Sequence, residues 1–338
     1  MKDDLVGCSD DSAEWVVVSA PTITNRIDAI TRIPETHLKA IIPPPKAVKI
    51  ELTGRCNYRC SFCALAVRDK QPTKDMDLDF FKRITREMRD AGVVEIGVFF
   101  IGESFMNPDL LIDAVLYLKR EIQMPYVFLT SNGSLAEPKI VAAVMRAGLD
   151  SLKWSVNSSN EADFVRVMKV KPGLFWKSLQ NIKDANLVRE IGRFKTGLYA
   201  SSIMYDGEQQ AKMDAFLTEH IRPHVDQHYW LPLYSMGSFA TEREEALGYR
   251  PTAGNQGRIG ALREPLPCWS VFTEGHVTSA GHLSACCFDA SDNWSMANLH
   301  DVPFKDAWNS APFQELRRRH LAKDVTGTAC EKCAAYGG

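Results

Sequence analysis

The sequence has no run of about eighteen apolar residues, and its first residues, Met1-Lys2-Asp3-Asp4, carry no apolar signal core. No membrane partner is implied, and the chain is expected to be cytoplasmic. It also has no basic excess: 40 Lys and Arg stand against 42 Asp and Glu, a formal net charge of -2. Nothing in that balance suggests phosphate-backbone binding, so nucleic acid is not implied. The Arg317-Arg318-Arg319 run is too short to change this and reads as a solvated helix face. Disulfides are not expected in a reducing compartment, so the nine cysteines argue for metal ligands or catalysis. What is present is globular: 338 residues, 45% hydrophobic and 24% charged, leave room for one large domain and a small one.

The most informative lack is local. Cys56, Cys60 and Cys63 form a CxxxCxxC loop just after the apolar run Val48 to Leu52, and no His or Cys follows within about fifteen residues. Three thiolates on one loop suit a soft metal centre. A structural zinc site usually closes with four protein ligands, so the missing fourth points to an open coordination position.

Residues 1–45 read as an N-terminal extension ending in Pro43-Pro44-Pro45, a stiff segment that delivers the chain into the first strand and is placed to cover one end of a barrel. Strands are predicted at 48–53, 93–101, 126–130, 151–156, 197–204 and 226–233. Helices are predicted between them at 77–90, 108–120, 137–147, 161–168, 174–190 and 208–221. Six βα units in series predict an α/β fold, a parallel sheet curled around a core over residues 46–235. Two of the strands are unusually polar for a parallel sheet. Lys49, Glu51 and Thr53 share one face of the first, and Lys153, Ser155 and Asn157 share one face of the fourth. In a barrel built around a reaction chamber such a face points inward; for the two lysines, reaching solvent at a strand end is the alternative. Residues 236–266 read as a bridging segment, and 267–338 as a small C-terminal domain.

The cysteine loop after the first strand resembles the signature of the radical S-adenosylmethionine (radical SAM) enzymes. The resemblance implies a partial (β/α)6 TIM-like barrel. It implies a 4Fe-4S cluster on Cys56, Cys60 and Cys63, with one iron left for the amino and carboxylate groups of S-adenosyl-L-methionine and Phe62 beside the adenine. Ile101-Gly102-Glu103-Ser104 is similar to the family's GGEP motif, whose glutamate accepts from the cofactor's ammonium; Gly102 and Glu103 match, while Ile101 and Ser104 depart. Thr130-Ser131-Asn132-Gly133 resembles the family's loop after the third strand, which brings in Ser131 and Asn132. Ser155 and Asn157 lie where fourth-strand polar groups meet the methionine carboxylate or the ribose.

Near the C-terminus, Cys268 precedes Gly281 by thirteen positions, Gly281 precedes Cys286 by five, and Cys330 and Cys333 form a closing CxxC. This resembles the first part of the SPASM motif, in the shortened Twitch form because no cysteine follows Cys333. That form implies one auxiliary cluster on Cys268, Cys286, Cys330 and Cys333, hence two 4Fe-4S clusters in all. Met296 to Leu299 and Phe304 to Ser310 are similar to the family's glycine-asparagine turn and tryptophan-bearing helix, with Ala297 in place of the glycine. Zinc on the same four thiolates is the alternative.

The implied activity is hydrogen abstraction from an unactivated carbon by a 5'-deoxyadenosyl radical, fed by a reductant such as flavodoxin or ferredoxin. Electron loss to the auxiliary cluster gives oxidation, as in 2-deoxy-scyllo-inosamine dehydrogenases; hydrogen return from a thiol gives inversion, as in radical SAM epimerases. Cys287, beside Cys286, is the candidate hydrogen donor, with a buried hydrophobe or a substitute ligand as its other readings. About 46 residues precede the barrel, little room for a leader-peptide domain. A sugar, aminocyclitol or similar small polar substrate is therefore expected, with a ribosomal peptide as the alternative. A non-catalytic iron-sulfur or zinc-binding interaction module is the alternative of another class.

Overall fold

Short runs of alternating apolar and polar residues form six parallel strands: β1 (Ala47–Ile50), β2 (Glu95–Gly97), β3 (Tyr126–Ser131), β4 (Ser151–Ser155), β5 (Gly197–Ile203) and β6 (Gln227–Leu231). The structure, a computed structural model, describes residues 22–68, 70–238, 241–290, 292, 294–331 and 333. Most of the first half of the predicted extension, residues 1–21, lies outside them.

Helix α1 (Ile23–Ile30) precedes β1. Between and after the strands come α2 (Leu78–Asp90), α3 (Pro108–Leu116), α4 (Pro138–Ala147), α5 (Glu161–Met168), α6 (Leu174–Gly192) and α7 (Gly207–His220). Their starts are set by side chains that accept from otherwise orphaned N–H groups: Asp77 from Phe80 at 2.8 Å, Asn107 from Leu110 at 3.2 Å and Asn160 from Asp163 at 2.9 Å. Helix α4 ends at Gly148, whose φ of 110° a side chain would strain. Leu152 and Trp154 of β4 turn outward with Val127, Leu198 and Ala200 into the buried layer between sheet and helices. The intervening residues, Ser151 and Lys153, line the interior.

The sheet does not stop at the six strands expected. Among the described residues it has nine, in the order β6-β5-β4-β3-β2-β1-β7-β8-β9, the last three being β7 (Glu274–Val277), β8 (His282–Ser284) and β9 (Ser295–Asn298). An edge strand offers a row of unpaired backbone groups. Here β7 satisfies that edge by running parallel to β1, Ala47 opposite Glu274, and β8 and β9 continue antiparallel. The C-terminal segment therefore extends the barrel wall. Its helices are α8 (Thr241–Ala246), α9 (Ser270–Thr273), α10 (Phe304–Trp308) and α11 (Ala311–Leu321).

The solvated face expected for Arg317 to Arg319 fails at its first member. Phe313, Leu316, Arg317 and His320 share the inward face of α11 by helical spacing. Arg317 is wholly buried and donates to the Val271, Ala40 and Trp308 carbonyls at 2.9, 3.0 and 2.8 Å and to Asn309 Oδ1 at 3.1 Å. The proline segment is held alongside, with Trp308 Nε1 donating to the Pro43 carbonyl at 2.9 Å.

Candidate active site

The inner faces of the strands enclose a chamber of about 220 Å³. Helix α1 closes it at the end where the strands begin. Arg26 pairs with Glu95 at 3.0 Å and lies over the Tyr126 ring, 3.4 Å from its centre, and Gln227 donates to Thr24 at 2.9 Å. Lys49 and Lys153 both line this chamber, so neither escapes to solvent at a strand end. Lys49 is paired with Glu274 of β7 at 2.8 Å. That carboxylate also accepts from His276 Nε2 at 2.9 Å, and His276 faces Cys287.

At the C-terminal end of β1, the end where parallel barrels place reacting groups, lies the loop of Cys56, Cys60 and Cys63. Arg59 and Ser61 donate their N–H groups to the Met168 and Val167 carbonyls at 3.0 and 2.9 Å. Tyr58 hydrogen-bonds Ser178 at 2.9 Å. The Gln71 side chain brackets Cys56, accepting from its N–H at 2.7 Å and donating to its carbonyl at 3.0 Å. Backbone N–H groups of Tyr58 and Leu65 reach the sulfurs of Cys56 and Cys63, each at 3.4 Å. Burial, then the neighbouring Cys63 and Cys56, pushes the Cys60 thiol well above its ordinary range, and burial, then Glu103, pushes Cys56 up to about 12. Thiols that oppose one another's ionisation are a donor set awaiting cationic charge, which fits a cluster held by three thiolates. Among the described residues no three His, Cys, Asp or Glu side chains close around a single metal ion.

Glu103 is buried beyond β2. Its Oε1 accepts from Phe105 N–H at 3.2 Å and Ser131 Oγ at 3.0 Å, and its Oε2 from Asn132 N–H at 2.8 Å. A carboxylate has about four acceptor positions, so one remains for a further donor such as an ammonium. Burial pushes this carboxyl up. A Cβ on Gly102 would overlap the Thr53 carbonyl oxygen. Glu51 accepts from Gly102 N–H at 3.0 Å and from the Ser279 N–H and hydroxyl at 3.2 and 3.0 Å, tying this loop to the turn after β7. Asn132 Nδ2 donates to Asn57 at 3.0 Å and stands 4.0 Å from Cys56 Sγ. Cys56, Glu103, Ser131 and Asn132 thus meet in one network. Phe62 stands elsewhere on the rim, lining a crevice with Ile203, Tyr205 and Leu233. Asn157 turns to the end of β5, accepting from Ile203 N–H at 3.0 Å, while Ser155 is half-buried opposite Ser201.

Cys268, Cys286, Cys330 and Cys333 line a second, largely apolar cavity of about 30 Å³. Residues that sequence reasoning passed over surround it. Asn255, from the bridging segment, lies 3.9 Å from Cys286 Sγ by its Nδ2 and 3.8 Å from Cys268 Sγ by its carbonyl. His320 accepts the Cys268 N–H at Nδ1 (3.1 Å), which leaves Nε2 to donate to Cys330 Sγ at 3.3 Å. Burial lowers this histidine to about 4, keeping it neutral. No periodicity marks either residue in advance. Cys287, although adjacent to Cys286, lines the barrel chamber instead.

The model of the Radical SAM superfamily matches residues 50–197, and that of an iron-sulfur cluster-binding domain, SPASM, matches residues 268–334. The chain thus carries a radical SAM domain, which makes it an enzyme, followed by a SPASM-type domain; its cofactors are S-adenosylmethionine, a 4Fe-4S cluster and further iron-sulfur in the second domain. The PqqA peptide cyclase of Gluconobacter oxydans is 28% identical over 307 residues, 86% of this chain and 83% of that protein. The PqqA peptide cyclase of Xanthomonas axonopodis pv. citri is 23% identical over 80% of this chain and 76% of that protein. Solved structures that share the fold include two complexes. One is Streptococcus suis SuiB bound to precursor peptide SuiA, with 16% identity and TM-score 0.61 over 87% of this chain and 71% of that one. The other is BtrN in complex with AdoMet and 2-DOIA, with 14% identity and TM-score 0.56 over 86% and 92%. Among the described residues no helix is long and apolar enough to cross a membrane.

Proposed function

We propose that this enzyme inverts a carbon stereocentre in a ribosomally made peptide, with Cys287 as the hydrogen-atom donor. The observation that carries the reading is that Cys287 lines the chamber while Cys286, to which its thiol is hydrogen-bonded, lines the cavity of Cys268, Cys330 and Cys333, so that Cys287 stands at the wall between the two, 3.5 Å from Asn255 Nδ2. Cys56, Cys60 and Cys63 would hold the first cluster, Glu103 would take the ammonium of S-adenosylmethionine, and the other four cysteines would hold the auxiliary cluster. When bound, the first cluster and S-adenosylmethionine supply a radical that removes hydrogen from carbon. The chamber then holds the carbon-centred radical away from water. Cys287 gives up its S–H hydrogen to form the new C–H bond, and the sulfur radical left behind regains one electron and one proton, the electron from a low-potential carrier such as flavodoxin or ferredoxin. The relatives matched along most of both chains are named as peptide cyclases, which favours a peptide over the metabolite expected from sequence.

One observation favours a second reading, oxidation of a sugar or aminocyclitol: a chamber of about 220 Å³ is below the roughly 300–1,000 Å³ of drug-sized sites and takes a single ring or a single side chain. Turnover in deuterium oxide with candidate peptides and aminocyclitols separates the two. Inversion should leave one non-exchangeable deuterium in the product. Cys287→Ala should still form 5'-deoxyadenosine while its inverted product falls by about a hundredfold or more, the scale of a positioned donor. Full inversion by that variant would remove Cys287 from the mechanism.

A further inference from the structure

The fixed charges of the chamber do not balance. Arg26 is met by Glu95 at 3.0 Å, Lys49 by Glu274 at 2.8 Å and Arg258 by Asp28 at 2.5 Å. Lys153 is the fourth cation lining the chamber, and among the described residues it forms no ion pair. Its Nζ stands 5.8 Å from the centre of the Tyr229 ring, and the charge that acts on it is the like charge of Lys49. None of the nearby titratable groups answers it. Tyr229 and Tyr234 are kept neutral by burial, which pushes both phenols up, and His276 is engaged with Glu274. Cys287 lines the same chamber but is not among the groups that act on Lys153. An enclosed ammonium without a counter-charge is costly unless something arrives to compensate it.

We propose that Lys153, with Lys49 beside it, anchors a carboxylate of the substrate, so that the enzyme selects an acidic peptide residue or an acidic metabolite. The surplus is one positive charge, which one monoanion neutralises; a doubly charged phosphate would overshoot it. The inference rests on the reading of the chamber as the substrate site under the function proposed above. Burial, then Lys49, lowers Lys153 to about 7, so near neutral pH the empty chamber holds this amine partly uncharged. A carboxylate restores the charge, and its binding takes up part of a proton.

The full chain, with clusters reconstituted, can be tested by competitive acetylation of its lysines with acetic anhydride, read by peptide mass spectrometry across pH. Lys153 should titrate near pH 7, well below exposed lysines. Saturating butyrate should slow its acetylation at pH 8 by about tenfold, the effect of re-protonating nine-tenths of the amine, whereas neutral butyramide should leave it unchanged. A short peptide bearing one glutamate that protects far better than free glutarate would assign the carboxylate to a peptide; equal protection would assign it to a small metabolite. Lys153→Met gives an independent readout. The charged amine is disfavoured only in the folded protein, so its destabilising effect is full below pH 7 and fades as pH rises from about 7 towards 10.5. The substitution should therefore raise the melting temperature more at pH 6 than at pH 9. Titration of Lys153 like an exposed lysine, or equal protection by butyramide, would overturn the anchor. None of these readouts needs cofactor cleavage or deuterium transfer, so the anchor and the inversion reading fail separately.

Discussion

Replacing Cys56, Cys60 and Cys63 together with alanine should lower the iron content of protein purified without oxygen from about eight to about four per chain, and should abolish cleavage of S-adenosylmethionine. The variant should remain folded, because the loop is held by groups other than its sulfurs: Tyr58 on Ser178, Gln71 on both sides of the Cys56 backbone, and Arg59 and Ser61 on the end of α5. Removing the thiols relieves three buried groups that oppose one another's ionisation and takes away every sulfur donor there. The four cysteines of the second cavity are untouched. Metal and sulfide analysis of both proteins decides the matter. Eight irons retained in the triple variant would remove these cysteines as ligands. Four irons with one zinc in the unaltered protein would keep the first cluster while assigning zinc to the second site.

What was legible in the sequence was whatever depends on neighbours along the chain. The strand and helix units follow from local periodicity and from punctuation such as Asp77, Pro108 and Gly148, and the cysteine spacings carry their chemistry with them. The alternation of Lys49 with Glu51, and of Lys153 with Ser155, gave the face but not its surroundings. Whether Lys153 meets solvent or an enclosed chamber depends on α1 closing the barrel and on Glu274 being spent on Lys49, pairings 69 and 225 residues apart. The joining of β7 to β1 was hidden for the same reason: a parallel pairing across so long a separation leaves no local pattern. Asn255 and His320 were missed because one sits in an irregular segment and the other at the end of a run of charged residues.

Arg317 shows how far a local reading of charge can mislead, and Arg317→Ala should be among the most destabilising single substitutions in the C-terminal segment, at about 4 kcal/mol. The guanidinium serves four acceptors on three segments, the Val271, Ala40 and Trp308 carbonyls and Asn309 Oδ1. Each buried acceptor left without a donor costs roughly 1–3 kcal/mol, and entry of water into the space offsets part of the sum. Stacking is lost as well, since the group lies 4.5 Å from the Trp308 ring centre and 4.9 Å from that of Phe313. Lysine should rescue little, because a single ammonium cannot span acceptors arranged around a planar fork. Arg318→Ala is the control: that side chain is exposed, pairs with Glu315 at 2.8 Å, and should change stability by less than about 0.5 kcal/mol. The damage should spread beyond stability. Arg317 sits three residues before His320, the donor to Cys330, and also holds the strand of chain that leads through Pro43 into β1. The Arg317→Ala protein should therefore lose iron to a chelator faster from the second site than from the first, measured by following each cluster in protein that keeps only one of the two cysteine groups. Equal loss from both sites would mean that Arg317 supports the fold as a whole and not the auxiliary site in particular.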